Sequence, residues 1–144
     1  MPQPSTSFVL DAALAADTHT IGDLPLARAL LMDDARFPWL ILVPRAAGMR
    51  DLIDLPRVQQ HALLDEVERC PQALRRLHAP DKLNIASLGN VIAQLHVHVI
   101  ARFAHDAAWP KPVWGVGERL PYTAEPLATQ VAQMRAALNL PSAP

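Results

Sequence analysis

The sequence predicts an α+β domain: an antiparallel sheet of about five strands covered by one long helix, with a C-terminal extension. Three observations carry this. Strand-like runs between residues 17 and 44 are separated only by short turns, and strands joined so closely pair antiparallel, because a parallel crossover needs a dozen or more residues. Apolar residues then recur at helical spacing from Val58 to Leu77. The stretch from Leu83 to Phe103 returns to strand-like patterning. At 144 residues the chain suits a single domain able to bury a real core. Residues 1–144 are read as that domain, with its core near 20–103 and a Trp- and Pro-rich extension over 104–144.

Each element follows in order. Phe8 to Asp17, rich in Ala and Leu, predicts a short helix. Asp17–Gly22 and Pro25–Met32 predict two strands, with turn chemistry at Gly22-Asp23. Asp33-Asp34-Ala35-Arg36 reads as the next turn. Pro38–Pro44 is apolar on both faces and belongs in the middle of a sheet. Leu55-Pro56 opens the long helix, since Pro is tolerated in a first turn. Pro71 removes a backbone donor and is expected to kink or break that helix; Pro80-Asp81 ends it. Leu83–Asn90 predicts a strand closing in a tight turn at Gly89-Asn90, and Val91–Phe103 the last strong strand. Residues 104–125 read as ordered but irregular, and Glu125–Leu138 as a terminal helix.

Composition narrows the function. Half the residues are hydrophobic and the formal net charge is −1, so neither disorder nor a nucleic-acid partner is expected. Arg75 and Arg76 are offset by Asp65, Glu66 and Glu68, the mixture of a solvated helix face. The single cysteine, Cys70, allows no intramolecular disulfide and reads as a small buried hydrophobe. The first seven residues lack a basic region followed by a long apolar run, and no window has the length of a membrane span. A soluble cytoplasmic protein with no membrane partner is expected.

The informative segment is Gln94-Leu95-His96-Val97-His98-Val99-Ile100. Alternation along a strand would place Gln94, His96 and His98 on one face, each about 6.5–7 Å from the next. A neutral imidazole is a nucleophile near pH 7 and can attack phosphorus. Two other readings stay open. One or both histidines could be hydrogen-bonded structural residues. His-x-His could also hold a metal, with His105 or Asp106 as the nearest third ligand. His19, His61 and His78 have no companions at ligand spacing. Trp109, Trp114 and Tyr122 either stack on a base or anchor the extension.

Residues 83–102 (LNIASLGNVIAQLHVHVIAR) resemble the histidine-triad (HIT) superfamily, whose signature is His-φ-His-φ-His-φ-φ after a Gly-containing turn. Residues 29–45 (ALLMDDARFPWLILVPR) resemble its paired strands. The first triad position holds Gln94, as in a bacterial Gln-x-His-x-His form. The resemblance implies a nucleotidyl hydrolase or transferase of dinucleoside polyphosphates or phosphoramidates, acting through a nucleotidyl-histidine intermediate. It implies His96 as nucleophile and His98 as hydrogen-bond partner of the reacting phosphate. Gln94, placed beside them, can donate and accept but cannot take up a proton. It further implies Asp33, or Asp34 by a shift of one, on the ribose hydroxyls, Asn84 reaching the phosphates, and Gly89 and Asn90 beside the α-phosphate. No cofactor is required, though Mg²⁺ could accompany a polyphosphate. A purine nucleotide is the implied small-molecule partner, and a homodimer the implied assembly. A nucleotide-binding module with little turnover and a His-x-His metal enzyme are the alternatives.

Overall fold

The computed structural model describes residues 8–141; residues 1–7, read above for the absence of a leader, lie outside them. The elements are α1 (Ala12–Asp17), β1 (Thr18–Asp23), β2 (Ala27–Met32), β3 (Trp39–Pro44), a single 3-10 turn (Leu52–Asp54), α2 (Arg57–His78), β4 (Lys82–Ala86), β5 (Val97–Arg102) and α3 (Ala124–Ala137). The strands form one sheet in the order β1-β2-β3-β5-β4. Every neighbouring pair is antiparallel. The α+β expectation holds.

Alternation along the strands gives the sheet two apolar faces. On one face Leu31, Leu40, Leu42, Val97 and Val99 pack under Leu63, Cys70 and Leu74 of α2 and Met134 of α3. On the other, Leu30, Trp39, Ile41 and Ile100 meet Leu14 of α1 and Ala108 and Val113 of the extension. β3 is buried along its whole length, as an apolar run bounded by prolines in mid-sheet should be. The Cys70 thiol lies inside this packing, and burial pushes its pKa up to about 12, so it stays protonated and inert.

α2 runs unbroken through Pro71, contrary to the expected kink. Pro71 removes one hydrogen bond at a cost of about 3 kcal/mol. The apolar stripe lies on both sides of it, and burying Val67, Cys70, Ala73 and Leu74 against the sheet outweighs that loss. Glu66, buried in the same helix, accepts from the amides of Leu26 and Ala27 at 2.8 Å each. It thereby fixes the helix to the β1–β2 connection.

Three boundaries moved. α1 is shorter than expected and begins after Asp11, whose carboxylate accepts from the Ala13 and Leu14 amides and so satisfies orphan helix donors. The β1–β2 turn falls at Leu24–Leu26, not Gly22-Asp23, because a bulge between Thr20 and Gly22 carries the ladder on to Asp23. The expected strand from Val91 begins only at Val97, and residues 87–96 form an irregular loop. The Ser87 hydroxyl donates to the His96 carbonyl, and the Leu95 amide donates to Met49, outside the sheet. These backbone groups find partners without a ladder.

Candidate active site

The loop and β5 bring the two histidines together. His98 lies in β5 opposite Ile41, and His96 sits at the end of the loop. Both are buried, and their ring centroids are 4.8 Å apart. His96 itself precedes the β5 ladder, which begins at Val97. Together they line a cavity of about 320 Å³ with Leu14, Met32, Trp114 and the loop segment Leu88–Ile92.

Their hydrogen bonds set opposite tautomers. The His96 Nδ1 lies 2.6 Å from the Gln94 carbonyl oxygen. A carbonyl only accepts, so Nδ1 carries the proton and Nε2 the lone pair. The Trp39 indole N–H donates to the His98 Nδ1 at 3.0 Å. An indole only donates, so in His98 the proton lies on Nε2. One ring thus offers a nucleophilic nitrogen and its neighbour an N–H donor.

Burial, and secondarily the neighbouring His96, pushes the His98 pKa down from 6.5 to about 4. Between those values the unfolded chain takes up a proton that the folded chain refuses, so stability is full above about pH 6.5 and falls as the pH drops toward 4. The difference is worth roughly 3 kcal/mol. His78 is shifted the same way by burial. Denaturant melts at pH 7.5 and 4.5 are therefore expected to show a large loss of stability in the native chain and a clearly smaller one in His98→Phe. Equal losses would contradict the assignment.

The other expected site residues divide. Gly89 and Asn90 line the cavity. Gly89 has φ +77, a left-handed conformation that other residues adopt only under strain. Among the described residues the backbone amides of Leu88–Ile92 have no hydrogen-bond partner, which leaves them for an anion. Gln94 does not join the histidines on a common face. Its carboxamide donates to the Val9 carbonyl at 2.9 Å and accepts from the Asp11 amide at 2.8 Å, so it anchors the segment leading into α1. Asn84 lies elsewhere, accepting from Arg102 at 2.9 Å.

Neither Asp33 nor Asp34 lines the cavity. Asp33 accepts from the Tyr122 amide at 2.9 Å and faces His19 at 3.1 Å. Asp34 is buried in a two-point pairing with Arg36. Burial alone would raise both carboxyls, yet these partners hold them below the usual range. The cavity's carboxylate, among the described residues, is Asp17 at the end of α1, 3.2 Å from Arg119 of the extension. No sequence signal marked it, because an Asp between a helix and a strand reads as punctuation.

The aromatic residues of the extension also divide. Trp114 is a cavity wall, with its ring 5.0 Å from that of His98. Trp109 stacks on Arg102 and Tyr122 packs against the α2–α3 core, so these two anchor the extension. Neither candidate third metal ligand approaches the histidine pair. The Asp106 carboxylate is engaged by Arg102 and three backbone amides, and the His105 ring lies against Phe103. Among the described residues, no group of three His, Cys, Asp or Glu side chains is placed to hold a metal ion, and no helix is long and apolar enough to cross a membrane.

Known proteins share this architecture. A histidine triad protein from Bradyrhizobium japonicum is 46% identical, with a TM-score of 0.89 over 91% of this chain and 98% of its own. One from Marinobacter aquaeolei VT8 is 45% identical, with the same score over 92% and 96%. One from Sinorhizobium meliloti 1021 is 41% identical, again at 0.89, over 92% and 98%. No curated protein matches. The HIT domain family matches residues 13–105, a span that holds both histidines, the loop before them and every strand of the sheet. The chain belongs to the HIT domain family.

Proposed function

We propose that this HIT protein is a nucleotidyl hydrolase or transferase that attacks the α-phosphate of a nucleoside phosphoanhydride or phosphoramidate. The observation that carries the reading is the pair of opposed tautomers facing one cavity. The His96 Nε2 lone pair forms an N–P bond as the bond from phosphorus to the leaving oxygen or nitrogen breaks. The leaving group departs with the electron pair and takes a proton from solvent. Water then attacks phosphorus, the N–P bond breaks, and a nucleoside monophosphate leaves; another acceptor in place of water makes the reaction a transfer. The His98 Nε2–H and the free amides of Leu88–Ile92 stabilise charge on the phosphoryl oxygens.

The apolar walls, Leu14, Met32 and Ile92, suit a purine base. Asp17, the carboxylate that lines the cavity, would accept from the sugar hydroxyls in place of Asp33. Among the described residues no Lys or Arg lines the cavity, so a polyphosphate would bring Mg²⁺ as its own counter-ion, with no metal in the chemical step. The Gln-x-His-x-His form fits this scheme because position 94 supplies its carbonyl oxygen to His96. The lone buried thiol suits the reducing cytoplasm.

The decisive experiment supplies metal-free protein with an α-³²P-labelled dinucleoside polyphosphate and an adenosine phosphoramidate. Nucleoside monophosphate release and an acid-labile label on the protein are expected, both lost in His96→Gly. Binding without release would make the chain a nucleotide-binding module.

The opposite side of the fold supports a homodimer as the proposed assembly. β4 is an edge strand, and beside it a groove of about 450 Å³ is lined by Leu52, Leu64, Val67, Ile85 and Leu95, with Leu64 and Ile85 exposed. A second copy pairing here would cover the apolar groove and the open strand edge. Sedimentation is expected to show a dimer that Ile85→Lys converts to monomer; a native monomer at micromolar concentration would refute it.

A further inference from the structure

We propose that Trp39 is a positioning residue: its indole N–H locks His98 as a neutral Nε2–H donor, so His98 serves the reaction as a fixed hydrogen-bond donor and never as a proton carrier. The role assigned to His98 rests on the proposed nucleotidyl transfer. The lock itself rests on geometry.

Trp39 opens β3, and its buried ring lies 5.6 Å from that of His98 on the neighbouring strand β5. Phe37 and Trp114 stand edge-on to it at 6.4 and 5.7 Å. The indole therefore cannot swing away without disturbing the packed face. A protonated His98 would carry hydrogens on both nitrogens and turn Nδ1–H against the Trp39 N–H, donor against donor. Among the described residues, the other titratable groups lining this cavity are His96 from the loop and Asp17 from α1. Arg119 already pairs with Asp17, and β3 and the extension present tryptophans. Nothing there replaces Trp39 as a partner for Nδ1.

The consequence is a division of labour. A His98 that kept a proton to give away would act as a general acid, and its protonation would shape the acid limb of the rate profile. A locked His98 supplies an oriented dipole at all pH values where the fold stands. The only imidazole whose charge changes in the cycle is then His96, as its N–P bond forms and breaks.

Two measurements on the intact protein test this. Long-range ¹H–¹⁵N NMR of the native chain between pH 5 and 8 is expected to show His98 with Nε2 protonated, Nδ1 unprotonated and no titration. In Trp39→Phe the His98 signals should move with pH or report mixed tautomers. A native His98 that titrates in this range, or that carries its proton on Nδ1, overturns the proposal whether or not a substrate is known. Kinetically, Trp39→Phe should lower kcat roughly ten-fold, the rate equivalent of one hydrogen bond, with KM within about two-fold and the acid limb moved to higher pH. Unchanged kcat and pH profile would also overturn it. Absence of turnover in the native chain would count against the proposed reaction, and the NMR result would still decide the lock.

Discussion

Replacing His96 with glycine is expected to lower nucleotide release by at least roughly three orders of magnitude, because it removes the atom proposed to bond to phosphorus. The fold should survive. His96 sits in the loop before β5, outside the ladder, and its ring is held by one hydrogen bond to the Gln94 carbonyl. Substrate affinity should change little, since the apolar walls, Asp17 and the loop amides remain. The glycine leaves a ring-sized gap beside that carbonyl, so added imidazole should restore part of the turnover. Gel-quenched assays with α-labelled substrate would read both the rate and the covalent label. A His96→Gly protein that still turned over at near-native rate would remove the nucleophile from the proposal.

On the proposed reaction, the same geometry accommodates glutamine at position 94. The position contributes a backbone carbonyl to the His96 Nδ1, and any residue supplies a carbonyl. Its side chain does something else: it ties Val9 and Asp11 and so seats α1, whose Leu14 and Asp17 line the cavity. The Gln94 carboxamide thus bears on the cavity indirectly, through the segment it anchors.

How much of this was legible depends on the kind of signal. β3 announced itself, because a doubly apolar run between prolines has few places to go. The His-x-His pair was visible from its spacing, and the structure brings its two rings together. The loop was not. Val91 and Ile92 look like strand residues, and only the satisfaction of the Ser87–His96 and Met49–Leu95 groups shows why no ladder forms. Trp39 was read as part of a core strand, which it is; that its N–H meets His98 across the sheet is a register fact. Asp33 and Asp34 adjoin a turn as the family pattern suggests, but beyond the neighbouring Arg36 their partners are His19, Leu120 and Tyr122, distant residues with no local signature.

The largest stability effect is expected at Asp106. Its carboxylate pairs with Arg102 at 2.7 and 3.1 Å and accepts from the amides of Phe103, Ala108 and Trp109. Burial would raise this carboxyl, yet the guanidinium and those amides hold it far below the usual range. Arg102 is itself buried at the end of β5, between Phe37 and Trp109. Asp106→Ala leaves that guanidinium buried without its counter-charge, at a cost of about 3–5 kcal/mol. For a domain of this size such a loss should lower Tm by roughly 10–20 °C. The consequence reaches the cavity. Asp106 shapes the turn that sends the chain back over the sheet, so its loss should loosen Trp114 against His98. Tryptophan fluorescence should then redden below the melting transition, while Asp106→Asn, which keeps an acceptor toward Arg102, should fall between the two. A Tm within a few degrees of native in Asp106→Ala would mean that the extension is held chiefly by Val113, Trp114 and the Arg36 and Asp34 contacts, and that the Arg102–Asp106 pair is not its anchor.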